Sequence, residues 1–249
     1  MFKLFIGSIV LAACAYAGEI SVAVAANLTD AIEVIKTEFA KTHPDTKVNT
    51  VLGASGKFTT QIKSGAPFDM FLSADMKFPE ALYTEKFAVT KPVIYASGAL
   101  AMVSTKGLDL SKGMALLSDA KIEKVAIANP VTAPYGTASV EAFKNAKVYD
   151  KVESKLVYGD SIGQALQFAI TAADIGFVNA SAFHSTKMKS YQQGKDWVMV
   201  DPKLYTPIAQ GVVILKQGEH NAEVKAFYDF ILSAPAKKGF KDFGYLVNE

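Results

Sequence analysis

The run with the most chemical potential in this chain is Gly53-Ala54-Ser55-Gly56-Lys57. It follows a nucleophile elbow, G-x-S-x-G, until the fifth position, where Lys57 replaces the glycine. It also approaches a phosphate-binding loop, G-x-x-x-x-G-K-[ST]. Phe58 follows Lys57, however, and the first glycine is misplaced. The histidines His43, His184 and His220 are scattered, and no H-E-x-x-H occurs. No G-x-G-x-x-G follows a strand pattern, so a dinucleotide site is unsupported. The single cysteine, Cys14, excludes a disulfide framework or a Cys-based metal site within one chain. Enzyme is therefore the weaker class, and no cofactor is expected. A triad assembled in space, with Ser55 as nucleophile of an exported hydrolase, is the alternative from another class.

What recurs instead is a helix start directly after a strand. Ala25-Ala26-Asn27-Leu28-Thr29-Asp30 offers Asn27 as an N-cap, with Asp30 three residues on. Ser55 is placed to cap the next helix. Thr132-Ala133-Pro134-Tyr135-Gly136-Thr137 and Gly159-Asp160-Ser161-Ile162-Gly163 open two more. A helix start leaves about four N–H groups unpaired and carries roughly half a positive charge. An anion can bind there without any lysine or arginine. Ser, Asn and Asp also cap helices that bind nothing, and four such starts are common in α/β proteins.

These turns must be held by strands and helices. Ile20–Val24, Lys47–Leu52, Met70–Leu72, Val93–Tyr95, Leu100–Val103, Val125–Ala128, Leu156–Tyr158, Ile175–Val178, Trp197–Val200 and Val212–Leu215 read as strands. Leu28, Ile32, Ile35 and Phe39 fall at helical spacing, as do Ile162, Leu166 and Ala169, and Val224, Phe227 and Ile231. Strand–helix alternation predicts α/β sheets covered by helices on both faces, and 249 residues suit two lobes better than one sheet. No internal repeat is visible in the sequence.

Composition narrows the partners. All 26 basic residues are lysine, against 24 acidic ones, and the net charge is +2. There is no bulk electrostatic case for nucleic acid or a membrane surface. Without arginine the chain also lacks the guanidinium fork that grips oxyanions bidentately. Met1-Phe2-Lys3, an apolar run over Leu4–Ala13 and the small residues of Ala15-Tyr16-Ala17 read as a secretory signal cleaved after Ala17. Leu11-Ala12-Ala13-Cys14 offers a rival, a lipobox with a lipid anchor on Cys14.

Several ordered motifs give the chain a family resemblance over nearly all of the expected mature sequence. Ala25-Ala26-Asn27-Leu28-Thr29 resembles the opening A-A-[SN]-x-T loop of the periplasmic molybdate-binding proteins of ABC transporters. Pro67-Phe68-Asp69-Met70-Phe71-Leu72-Ser73-Ala74-Asp75 resembles their P-x-D-[LIV]-F-[IL]-S-A-[DN] segment and is the most specific match. Asn129-Pro130, Ala133-Pro134-Tyr135-Gly136, Asp174-Ile175-Gly176-Phe177-Val178 and Val224–Phe230 agree as well.

The resemblance implies a two-lobed, type II periplasmic binding-protein fold with a tetrahedral oxyanion in the cleft. It implies Asn27 and Ser55 as ligand-binding residues from the first lobe, with the N–H of Ala26. From the second lobe it implies the backbone N–H of Tyr135 and of Ser161 or its neighbour Ile162. Asn27, Ser55, Tyr135 and Ser161 would hold molybdenum as its oxyanion, never as a bare metal ion. Many members have serine at the position of Asn27. Asn179 stands where many carry a ligand-side tyrosine, so it is included only as a further donor.

The resemblance further implies a monomer in the periplasm that delivers molybdate or tungstate to a membrane permease with its ATPase. The expected organisation is a signal peptide over 1–17, a first lobe over 18–97 and 208–249, and a second lobe over 98–207. A binding protein for sulfate, thiosulfate or phosphate is the alternative within the class. Phosphate often keeps a proton at neutral pH and would need a carboxylate acceptor. Asp160 is the nearest acidic residue and is expected to cap a helix instead.

Overall fold

A computed structural model describes residues 18–247, so the expected leader and Cys14 lie outside the described residues. The chain opens with β1 (Gly18–Ala25), a 3-10 turn (Ala26–Leu28) and α1 (Thr29–Ala40). Next come β2 (Thr46–Gly53), α2 (Ser55–Lys63), β3 (Met70–Leu72), α3 (Lys77–Thr84) and β4 (Val93–Gly98). The middle holds β5 (Leu100–Val103), β6 (Val125–Ala128), α4 (Pro134–Asn145), α5 (Tyr149–Val152), β7 (Leu156–Gly159), α6 (Ile162–Thr171), β8 (Ile175–Asn179) and β9 (Trp197–Met199). β10 (Ile208–Ile214), α7 (Ala222–Ile231) and α8 (Ala234–Asp242) complete it.

These strands form two mixed sheets, ordered β2-β1-β3-β10-β4 and β7-β6-β8-β5-β9. In the first, β1 runs parallel to β2 and β3, while β10 is antiparallel to both β3 and β4. In the second, β6 runs parallel to β7 and β8, while β5 is antiparallel to both β8 and β9. The two sheets thus share one plan, although no sequence repeat announces it. Each sheet with its helices forms one lobe.

Alternation along the strands decides which helices cover which face. On β1, Ile20, Val22 and Val24 point into a core shared with Ile32, Ile35 and Phe39 of α1, Phe227 and Ile231 of α7 and Phe240 of α8. Ala23 points the other way, toward Phe58 and Ile62 of α2. β3 repeats the split, with Met70 and Leu72 on the first side and Phe71 on the second. The second lobe builds its core from Val125, Ile127, Phe143, Ile175 and Phe177. The elements depart from the sequence reading in places: β10 starts at Ile208, ahead of the expected Val212. β4 runs through Ser97-Gly98, so only Ala99 separates it from β5. α3 gave no clear periodic signal, because it is short and carries Pro79 near its start.

Phe177 is fully buried and meets the Phe143 ring edge-on, 4.7 Å between centroids. Phe177→Ala is expected to cost about 3–5 kcal/mol. Urea unfolding should show this as a lower midpoint with an unchanged slope.

A candidate oxyanion site between the lobes

The parallel strands β1, β2, β6 and β7 end on the same side, where the lobes face each other. In open α/β sheets this carboxyl edge is where ligands bind. A small cavity lies there, lined by Ala26, Asn27 and Ser55 from the first lobe and Ala133, Tyr135 and Ile162 from the second. Ser161 and Asn179 do not line it.

The expected capping roles need correction at three residues, Asn27, Ser55 and Asp160. Asn27 lies inside the 3-10 turn, whose cap is Ala25, and α1 is preceded by Leu28. Ser55 is the first helical residue of α2, and Ala54 precedes it. In both cases the chain enters the helix one step away from the polar residue, so the side chain is turned to other work. Ser55 Oγ accepts the Ala74 N–H at 3.0 Å, which ties α2 to the segment after β3. Ser161 does cap its helix, accepting the Gln164 N–H at 3.3 Å. Asp160 does not cap; its carboxylate pairs with Lys57 across the cleft at 2.9 Å.

The backbone donors are the site's main resource. Pro134 opens α4 and has no N–H, so Tyr135 supplies the first donor of that helix. Among the described residues, the N–H groups of Ala26, Asn27, Ser55, Tyr135 and Ile162 make no hydrogen bond to the protein. Asn27, Ser55, Tyr135 and Ile162 are buried. Buried N–H groups without partners are rare in folded proteins, and here they gather from four separate turns around one cavity. No lysine side chain lines the cavity.

Behind the donors lies a buried polar network. Asn27 Nδ2 contacts Gln210 Oε1 and the Tyr245 hydroxyl, each at 2.9 Å. The Tyr95 hydroxyl lies 3.0 Å from Ser73 O and 2.8 Å from Gln210 Oε1, and Gln210 Nε2 lies 3.3 Å from the Tyr135 hydroxyl. The carbonyl of Asn27 accepts from the Tyr245 hydroxyl at 2.8 Å and from Asn179 Nδ2 at 3.3 Å. Asn179 therefore braces the first loop from the other lobe. Gln210 and Tyr245 carried no sequence motif; only the return of β10 and the C-terminal segment brings them here. Burial pushes the hydroxyls of Tyr95, Tyr135 and Tyr245 well above their ordinary pKa, which keeps them protonated as donors.

A larger cavity of about 470 Å³ adjoins the site past Asn27. Leu166, Ile170, Met188 and Phe243 give it mostly apolar walls, and its ammonium, Lys187, is paired with Asp30 at 2.8 Å. The concentration of unpaired donors marks the smaller cavity as the candidate site. Ser55 Oγ has neither a histidine nor a carboxylate among its hydrogen-bond partners in the described residues. Among the described residues no cluster of three or more His, Cys, Asp or Glu is placed to hold a bare metal ion.

Comparison with known proteins shows the family. The family model described as bacterial extracellular solute-binding protein matches residues 20–246. The molybdate-binding protein ModA of Rhodobacter capsulatus is 41% identical over 240 residues, covering 95% of this chain and 92% of that protein. The ModA of Azotobacter vinelandii is 39% identical over 244 residues, 96% and 94% of the two chains. The structure of an Azotobacter vinelandii periplasmic molybdate-binding protein superposes with a TM-score of 0.85 at 29% identity, over 92% of this chain and all of that one. The sulfate-binding protein SubI of Mycobacterium tuberculosis, at 16% identity and a TM-score of 0.71, shares the fold.

Asp75, at the end of the Pro67–Asp75 segment, offers a test of the cleft wall. Its Oδ1 accepts from the Phe78 N–H at 3.2 Å and from Ser73 Oγ at 3.1 Å, while burial raises its carboxyl pKa. A raised folded pKa favours folding below the ordinary carboxylate value and loses that contribution as pH rises through the folded value. Asp75→Asn keeps the acceptor and removes the charge. It is expected to melt above the wild type at pH 7 and to lose that advantage at pH 3. An equal shift at both pH values would exclude the charge as the cause.

Proposed function

The chain belongs to the bacterial extracellular solute-binding proteins, and we propose that it captures molybdate, with tungstate, between its lobes for import by an ABC transporter. The gathering of unpaired N–H groups at four helix starts is the observation that carries this reading. A dianion supplies acceptors for all of them at once, and the helix dipoles favour its charge.

The direct ligands in this reading are the N–H groups of Ala26, Asn27, Ser55, Tyr135 and Ile162, with the Ser55 hydroxyl hydrogen. Its oxygen already accepts from Ala74, which leaves the hydrogen to donate. The Asn27 side chain joins them: one end of its amide is buried with no protein partner and is read as the end that meets the anion. Ser161 and Asn179 support the ring by capping α6 and bracing the Asn27 loop.

Selectivity follows from fixed donors. Molybdate and tungstate are nearly equal in size, whereas smaller sulfate leaves donors unpaired at about 1–3 kcal/mol each. Phosphate's residual proton finds no acceptor, since no carboxylate lines the cavity and Asp160 is engaged by Lys57. The chain changes lobe around residues 98 and 207, so the first lobe comprises 18–97 together with 208 onward. We place the protein in the periplasm as a monomer serving a membrane permease. Among the described residues no helix is long and apolar enough to cross a membrane.

Calorimetric titration of ligand-stripped protein is expected to give saturable 1:1 binding of molybdate and tungstate, with little heat from sulfate or phosphate at equal concentration. A flat molybdate titration would sink the reading. Ser55→Ala removes one hydrogen bond to a charged ligand and is expected to weaken binding by roughly 1.5–3 kcal/mol, about ten- to a hundredfold. Unchanged affinity would show that Ser55 Oγ is not a ligand.

A further inference from the structure

We propose that Gly56 is the stop that sets how far the two lobes close, and so the size of anion the cleft prefers; this rests on the oxyanion reading above. The N–H of Gly56 donates to the Thr132 carbonyl in the opposite lobe at 2.8 Å. A methyl group on Gly56 would lie 2.9 Å from Thr132 Cα and 3.0 Å from Thr132 O. Carbon atoms in good contact sit about 3.5–4.0 Å apart, so the present approach is possible only without a Cβ.

Backbone conformation does not explain this glycine. Gly56 sits in the first turn of α2, and its φ is not in the left-handed region. Within a helix, alanine is otherwise more favourable than glycine. What glycine supplies here is closeness to the other lobe.

Neither side of the contact yields easily. The Thr132 N–H is bonded to Asn129 O at 3.2 Å, the Ala133 N–H to the same carbonyl at 2.8 Å, and the Asn129 N–H to Gly159 O at 2.8 Å. On the facing side, Ser55 next door is fixed to Ala74. The contact also adjoins the donors on both lobes: Ser55 is one residue before Gly56, and Tyr135 is three after Thr132. A shift of a few tenths of an ångström at Gly56–Thr132 is therefore passed directly to the gap between Ser55 and Tyr135. Lys57–Asp160 crosses the cleft beside it, but that pair is solvent-exposed and adjusts freely.

The test compares wild type with Gly56→Ala, Lys57→Met and Gly56→Ala in a Phe78→Ala background, using molybdate and sulfate titrations and small-angle scattering with saturating molybdate. The background variant is needed because the new methyl would also lie 2.8 Å from Phe78 Cζ within its own lobe. Gly56→Ala is expected to weaken molybdate binding about ten- to a hundredfold. It should also narrow the molybdate-to-sulfate ratio and leave a larger radius of gyration at saturation, with ligand-free melting at or above the wild type. Lys57→Met should keep affinity within about threefold. Wild-type affinity and ratio in Gly56→Ala, or their full recovery in the Phe78→Ala background, would overturn the stop alone. A wild type that ignores molybdate would overturn the functional reading and the stop with it.

Discussion

An unpaired N–H group buried in a protein is costly, and this molecule concentrates several of them at one place. That constraint organises the rest. The donors are useful only if they stay dry, point at a common centre and keep their spacing to a fraction of an ångström. Each sheet answers by ending its parallel strands at the cleft, so that the turns leaving them deliver helix starts to the same point. The helices are held in turn by buried strand residues that alternate between two covered faces, as Val22 and Ala23 do on β1.

The polar network behind the cavity serves the same need. Gln210 and Tyr245 reach it from the last part of the chain, Tyr95 from β4 and Asn179 from the opposite lobe. None of these side chains carries a net charge. A charge there would add field strength, but it would carry a desolvation cost and a titration of its own. Neutral donors with locked orientation give recognition that depends on shape. The lack of arginine noted in the sequence is consistent with this, since helix starts can do the work a guanidinium fork would otherwise do.

Much of this was legible in the sequence because its signals are local. Alternating apolar residues gave the strands, and glycine, serine and proline at the turns gave four helix starts. The ordered motifs from Ala25 to Phe230 added the family resemblance. What stayed hidden depends on distant pairs. Asn27 and Ser55 look like caps from their neighbours alone, and only the partners at Gln210, Tyr245 and Ala74 show otherwise. Gly56 looks like a failed phosphate-loop glycine until Thr132 is seen against it. α3 was missed because eight residues with an early proline hold too little periodicity.

The position of β10 has a consequence for how the chain is made. The second sheet is built entirely from residues between 100 and 199, so all its strands are present once that stretch exists. The first sheet cannot join β3 to β4 until Ile208–Ile214 arrives between them. Until then it is two fragments, each with an open strand edge. Synthesis from the N-terminus therefore completes the inserted sheet first and leaves the flanking one unfinished through most of elongation. The strand that lies between β3 and β4 also carries Gln210, so the ligand-side network forms only at the last step of assembly.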